Sequence, residues 1–243
     1  MNFCFNLLLC PYLYSMRCNA FPMKYFSLIL LAIILSSCLE GDDDSFRRKS
    51  DVLFVNVYND AVNGIEFRVD DIEWAYGYRS YDTLDVYHTF YSGDVAFSAF
   101  VAGSGSGQAI ASVSQTLNGG GKYTAFLTGK SGDGNMLFLP DTLNQPASGK
   151  ALIRFVNLSP DLSKADIKVA DSSTISSLDY LTAGYMSIDS GATVIRTYRA
   201  GEADASAALN FKAVSRGIYT MYTKGLASRT GKDSLAISYF LQP

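Results

Sequence analysis

Three kinds of residue in this chain have types and spacing that could do chemistry: a crowd of aromatics, a few carboxylate pairs and one histidine. Trp74, Tyr76, Tyr78, Tyr81, Tyr87 and Tyr91 fall close together, with Arg79 and Asp82 between them. Alternation places Trp74, Tyr76 and Tyr78 on one strand face. Flat aromatics beside polar side chains are what sugar stacking or a protein interface uses, so Trp74, Tyr76, Tyr78 and Tyr81 are the candidate ligand-binding residues. The competing reading sinks Trp74 into a β core with the tyrosines at its rim, and the sequence favours it, because aromatics dominate ordinary β cores.

Asp70-Asp71 with Glu73, Asp82 with Asp85, and Glu202 with Asp204 are the acidic pairs available to a carbohydrate hydrolase, which needs two carboxylates facing across a cleft. In turn-rich segments such residues read first as turn formers and solvated charges. His88 shares a strand face with Val86 and Phe90, and a hydrogen-bonded core or edge histidine is the expectation. One histidine cannot build a His-rich metal site, and general acid–base work needs a partner within reach. Gly103-Ser104-Gly105-Ser106-Gly107 lacks the Lys-Ser/Thr and helix of a phosphate loop. Ser131-Gly132-Asp133-Gly134-Asn135 lacks the later Glu of a calcium loop. No catalytic residue, metal or cofactor is expected.

Residues 1–37 hold Arg17 and Lys24 and no acid, which leaves 18 basic against 23 acidic residues in the remainder. An acidic protein lacks the electrostatic footprint of nucleic-acid binding, and Arg47-Arg48-Lys49 reads as a solvated linker cluster. Cys4, Cys10, Cys18 and Cys38 are all the cysteines. The remainder therefore has no disulfide, thiolate metal site or cysteine nucleophile, and relies on core burial.

Those cysteines point to the N-terminal organisation. Met23-Lys24 supplies a positive start and Tyr25 to Leu35 an apolar run of signal-peptide length, too short for a membrane span. Translation is expected to begin at Met23, with residues 1–22 an extension upstream of the true start. Leu35-Ser36-Ser37-Cys38 resembles the lipobox of bacterial lipoproteins. That resemblance implies removal of the signal peptide 23–37, lipidation of Cys38 and attachment to the membrane through it. Leu39 stands where an inner-membrane retention aspartate would be, which implies the outer membrane of a diderm bacterium. The acidic run Asp42-Asp43-Asp44 resembles surface-export signals and also suits a soluble tether, 38–50.

From Asp51 onward the pattern is β. Val95, Phe97, Ala99 and Val101 alternate with Ala96, Ser98 and Phe100, and Val86, His88 and Phe90 with Tyr87 and Thr89. Thr193, Ile195 and Thr197 oppose Val194, Arg196 and Tyr198. Asn63-Gly64, Ser92-Gly93, Asn118-Gly119-Gly120-Gly121 and Ser190-Gly191 mark turns. Ser172 to Asp179 reads as a short helix or a loop. The pattern then repeats: Phe54-Val55-Asn56 returns as Phe155-Val156-Asn157, Phe67-Arg68-Val69 as Ile167-Lys168-Val169, Ser92-Gly93 as Ser190-Gly191, and Gly121-Lys122-Tyr123-Thr124 as Gly217-Ile218-Tyr219-Thr220. The expected fold is all-β: two tandem immunoglobulin-like β-sandwich domains, 51–139 and 150–243, of about seven strands each, joined by a linker at 140–149. A transmembrane β-barrel is the rival architecture. Comparably short loops at both ends count against it.

Ala151-Leu152-Ile153-Arg154-Phe155-Val156-Asn157-Leu158-Ser159-Pro160-Asp161 resembles the opening of the domain of unknown function 4397 family. Ala165-Asp166-Ile167-Lys168-Val169 and Gly217-Ile218-Tyr219-Thr220 fit its later strands. The resemblance is fullest over 151–224. The first copy, 51–139, keeps Phe54-Val55-Asn56 but has Tyr58-Asn59-Asp60 in place of Ser-Pro-Asp. The family implies an exported β-sandwich, often a lipoprotein, and brings no catalytic residues. The Asn-x-Ser-Pro-Asp turn explains itself without a ligand: Pro160 ends the strand, and Asn157 and Asp161 cap backbone amides. The expected function is a non-catalytic binding or structural role in the cell envelope, with a glycan or an envelope protein as partner. The alternative is the carboxylate-pair hydrolase.

Overall fold

The computed structural model describes residues 48–242 apart from 61–63, 71, 74–78, 105–106 and 171–172. Residues 47–243 make one compact unit. Within it, sixteen described strands form four four-stranded sheets, two to a sandwich, rather than a closed cylinder.

The first sandwich contains β1 (Lys49–Asn56), β2 (Ile65–Val69), β3 (Ile72–Glu73), β4 (Thr83–Tyr91), β5 (Gly93–Val101), β6 (Ala111–Leu117), β7 (Lys122–Lys130) and β8 (Asp133–Pro140). The second repeats it with β9 (Lys150–Val156), β10 (Lys164–Val169), β11 (Ser173–Asp179), β12 (Ala183–Asp189), β13 (Gly191–Arg199), β14 (Ala207–Ala213), β15 (Ile218–Lys224) and β16 (Ala236–Leu241). Their sheet orders are the same: β4-β1-β7-β8 over β3-β2-β5-β6, and β12-β9-β15-β16 over β11-β10-β13-β14. In each sandwich the first strand runs parallel to the seventh and antiparallel to the fourth. Each copy thus has eight strands, one more than expected.

The extra strand was hidden by irregularity. Ser173–Asp179, expected as a helix or loop, is β11, paired to β10 with a register shift and a positive φ at Ser177. A bulge adds an unpaired residue and breaks the period of two by which a strand is read. The same device corrects the reading of β4. Its register with β1 shifts between Leu53 and Val55, so Val86 lies in the bulge and is 67% exposed, while His88 and Phe90 turn inward.

Where no bulge intervenes, alternation holds. Val95, Phe97 and Ala99 are buried in the first core, and Ile195 and Thr197 point inward while Arg196 and Tyr198 face out. Val52 to Val55 of β1 form an unbroken apolar run because both faces of the strand are covered there. Val52 and Phe54 enter the core of the first sandwich, and Leu53 and Val55 enter a second apolar layer shared with the other sandwich. That layer joins Leu53, Val55, Val57 and Phe126 to Val156, Leu158, Tyr222 and Phe240. The sheets containing β1 and β9 are therefore packed face to face, and the protein is a four-layer stack with an apolar seam at its middle.

Candidate functional site

The seam is where the sequence repeat acquires meaning, because residues related by the repeat meet across it. The rings of Phe126 and Tyr222 lie 5.7 Å apart. Gln242, just past β16, donates to the Oδ1 of Asp141, just past β8, at 3.2 Å. Thr124 and Thr220 both accept from Arg154, at 3.5 and 3.0 Å. Like meets like along a line parallel to the strands, the signature of a pseudo-two-fold, self-complementary interface.

A charge sits at its centre. Arg154 and Asp141 pair at 2.7 Å with side chains 0% and 1% exposed. Arg154 also donates to the carbonyl of Pro140 at 2.8 Å, and Asp141 accepts from the hydroxyls of Tyr87 (2.7 Å) and Thr124 (2.8 Å). A buried ion pair loses its hydration and is tolerated only when the remaining hydrogen-bonding capacity is filled. Here it is. Burial and the Asp141 carboxylate push the Tyr87 phenol up from its ordinary value. Near the other end of the seam, Asp82 binds the Lys224 ammonium and accepts from Ser238 (3.1 Å) and Tyr222 (3.2 Å).

Each residue of the recurring motifs has a structural task. In Arg154-Phe155-Val156-Asn157, Arg154 and Val156 face the seam and Phe155 the core. The Asn157 amide donates to the carbonyls of Leu162 (2.7 Å) and Leu178 (3.2 Å) and accepts from Thr223 (3.0 Å). Asn56 repeats this with the carbonyl of Arg79 at 2.9 Å. Asp161 accepts the N–H groups of Ala227 and Ser228, both at 2.8 Å, and the Ser159 hydroxyl at 3.0 Å. Burial pushes its carboxyl up, but these donors outweigh it and hold the group below its ordinary value. In Gly-x-Tyr-Thr, the tyrosine hydroxyl accepts a backbone N–H five residues upstream: Asn118 to Tyr123 at 2.9 Å, Val214 to Tyr219 at 3.0 Å. The ring lies over the glycine, so a Cβ on Gly121 or Gly217 would come within 2.8 or 2.6 Å of it.

The candidate binding residues divide. Trp74, Tyr76 and Tyr78 lie outside the described residues, as does Cys38. Tyr81 packs against the seam, and its buried hydroxyl lies near Asp82, Asp233 and Gly225, with burial first among the causes that raise its pKa. It belongs to the interface between sandwiches and is not an exposed platform. Its partner by repeat is Tyr180, also with a buried hydroxyl, near Asp133 and Asn135. The sequence held that signal: Tyr81-Asp82-Thr83 and Tyr180-Leu181-Thr182 fall, in the same order in both copies, between the Phe-Val-Asn and Ser-Gly repeats.

The chemical candidates are engaged elsewhere. Asp85 binds Arg79 and accepts from the His88 Nε2–H at 2.8 Å, while taking the N–H of Val86 at 2.8 Å. Burial raises the Asp85 pKa, but the Val86, His88 and Arg79 contacts prevail and leave it lowered. Asp82 is held in the seam, Asp70 accepts the N–H of Ala96 at 2.9 Å, and Glu202 pairs with Arg199 at 3.3 Å. Among the described residues, no three His, Cys, Asp or Glu side chains converge as metal ligands.

The loops, expected to be comparably short at both ends, are unequal. Strand direction makes β1, β5, β9, β13 and β15 end at one pole, each followed by seven or more residues before the next strand, and puts the turns at Ser92, 118–121, Ser190 and 214–217 at the other, together with the linker 141–149 that joins the two sandwiches. The chain enters β1 at the short-turn pole, where Ser92 donates to the Arg48 carbonyl at 2.9 Å. The long-loop pole of the first sandwich has a cavity of about 280 Å³ lined by Tyr58, Gln108, Ala109, Ile110, Gly132 and Asp133.

No curated protein matches the sequence. Among solved structures, the TIE protein of Bacillus anthracis is similar at 10% identity and a TM-score of 0.25, over 74% of this chain and 33% of that one. The chain thus spans about a third of that protein's length. A family 26 carbohydrate-binding module from Eubacterium rectale Amy13K, solved with maltoheptaose, is similar at 10% identity and a TM-score of 0.26, over 80% of this chain and 97% of that one. Likenesses this distant set no functional expectation for this chain. The family model described as a domain of unknown function (DUF4397) matches residues 50–168, running from Ser50 through the first sandwich and both Phe-Val-Asn strands into β10, so it takes in the opening of the 151–224 segment where the resemblance was expected to be fullest. On that match, and on motifs that both sandwiches use for the same turns and seam, this chain belongs to the DUF4397 family.

Proposed function

We propose that this is a non-catalytic binding protein of the cell envelope. In this reading Cys38 is lipidated after removal of residues 23–37 and holds the protein at the outer membrane of a diderm bacterium. The observation that carries it is the polarity of the fold. Within each sandwich the long connections leave from one pole, and the N-terminal segment enters at the other, beside the linker between the sandwiches. Binding residues concentrate on loops held by a rigid scaffold, and a tether at the opposite pole leaves those loops facing outward. The ligand is a glycan or an envelope protein.

The absence of cysteine after Cys38 makes a clean test. Single cysteines at Asp204→Cys on the long-loop pole and Asn118→Cys on the short-turn pole each receive a bulky polymer. The mature lipidated protein, in which Cys38 is blocked by its acyl chain and residues 1–37 are gone, is then tested on an array of polysaccharides and immobilised envelope proteins. Blocking by the Asp204 adduct alone is the expected result. Blocking by the Asn118 adduct alone, or turnover of any arrayed polysaccharide, overturns the reading. In cells, Cys38→Ser should leave the membrane fraction on carbonate extraction, and its retention would overturn the lipid anchor.

A further inference from the structure

The outer face of the second sandwich differs from its counterpart in a way folding does not require. In the sheet β11-β10-β13-β14, Ile167, Ile195 and Phe211 point into the core, so Lys168, Arg196 and Lys212 project from the opposite face. Lys168 and Arg196 stand directly opposite each other on β10 and β13. Like charges directly opposite on neighbouring strands destabilise a sheet. In the first sandwich the matching pair is Arg68 and Ser98, and Arg68 is neutralised by Glu66 at 2.6 Å. Among the described residues, none of Lys168, Arg196 and Lys212 has an acidic partner within 4 Å. Among the described residues of these strands, the carboxylates on this face are engaged elsewhere: Asp179 pairs with Lys164 at 3.2 Å, and Asp166 accepts the N–H groups of Ser177 (2.7 Å) and Gly201 (3.4 Å).

The arrangement is linear and flat. Lys212 pairs with Ala192, four residues along β13 from Arg196, which separates the two cations by about 13 Å along the strand. Exposed Ala208 and Ala192 stand opposite the two cations, and the uncharged pair Val194 and Asn210 lies between them. A row of cations on a flat floor matches an extended chain with repeating negative charge better than one compact anion, which needs converging donors. Tyr198 is the aromatic on this face, and the Lys168 ammonium sits 4.5 Å from its ring centroid, so no open ring is offered to stack bases as single-stranded nucleic acid requires.

We infer that this face binds an acidic polysaccharide, with Lys168, Arg196 and Lys212 pairing to its carboxylates or sulfates. The inference is independent of the long-loop pole, so either reading can fail alone. Polygalacturonate and chondroitin sulfate are the probes, with dextran and duplex DNA as controls, at about 50 mM salt, where screening is weak. The full chain should retain both acidic polysaccharides, and Lys168→Gln/Arg196→Gln/Lys212→Gln should weaken retention at least tenfold without lowering the melting temperature. Arg196→Ser, which installs the first sandwich's residue, should weaken it on its own, and Lys130→Gln should not. Three results would overturn the inference: no retention of either polyanion, retention unchanged in the variants, or retention of DNA in preference to both polysaccharides.

Discussion

The two sandwiches share strand order and turn chemistry, yet divide charge unequally. Residues 48–149 carry eleven acidic and six basic side chains, and residues 150–243 carry eight and eleven. At the seam, Leu53 in the first copy stands where Arg154 stands in the second, and Asp141 answers Gln242. The cores differ too. The first is built on stacked phenylalanines, with Phe54–Phe67 at 4.7 Å and Phe97–Phe138 at 4.8 Å. The second relies on Ile153, Leu162, Ile167, Ile195 and Met221. Duplication fixed the backbone and the motif positions, and divergence acted where residues face each other or face solvent. An exact two-fold interface would repeat any Arg–Asp pair twice and could not hold a single one. A pseudo-symmetric one can, and that substitution gives this seam a defined partner and direction.

The largest break of the comparison is at that pair. Arg154→Met should cost about 3–5 kcal/mol by leaving Asp141 buried without its charge partner, read as a fall in unfolding free energy by denaturant titration. Replacing both, Arg154→Met with Asp141→Leu, should recover most of the loss; a double variant as unstable as the single would show that packing, and not charge, sets the cost. Next come Gly121→Ala and Gly217→Ala. Each forces the following tyrosine ring off its turn, at a cost of about 1–3 kcal/mol typical of overpacking. Similar losses would uphold the equivalence of the copies, and a loss in only one would break it. Tyr123→Phe and Tyr219→Phe remove one hydrogen bond to a turn amide apiece and should each cost about 1 kcal/mol, measured by the same titration.

The smallest effect concerns acid. The carboxyl of Asp161 is held below its ordinary value when folded, so its contribution is present above the unfolded value of about 3.9 and is lost as pH falls through the lowered one. Asp161→Asn should therefore be less stable than the parent at neutral pH and lose less on acidification below about pH 4. Equal slopes of melting temperature against pH for the two proteins would contradict this.

Much of this fold could be read from residue order. The alternation in Val95, Phe97 and Ala99, the turn glycines and the recurring motifs define β structure in two copies. What escaped was whatever interrupts the period of two. The bulges in β4 and β11 turned Val86 outward and disguised a strand. The seam was the deeper omission. Leu53, Val55, Phe126 and Tyr222 look like ordinary strand residues, and only the second covered face reveals why the run Val52 to Val55 lacks polar alternates. Tyr81 shows the same limit, since a half-polar ring looks alike in a binding face and an interface until its repeat partner Tyr180 is considered. The cations of the second sandwich stood out even less. Lys168 and Arg196 lie 28 residues apart and become opposite only through the β10–β13 register.

The position of β1 has a mechanical consequence. The N-terminal segment leads into a strand that lies inside its sheet, bonded to β4 on one side and to β7 on the other, from Asp51↔Lys122 to Asn56↔Leu127. Tension on a surface tether would pull along that strand, so both ladders would be loaded in shear and all their bonds would have to yield together. A tether joined to an edge strand and pulled across it would instead peel away one bond at a time. With the tether proposed above, load would therefore enter at an interior strand held on both sides rather than at a free edge.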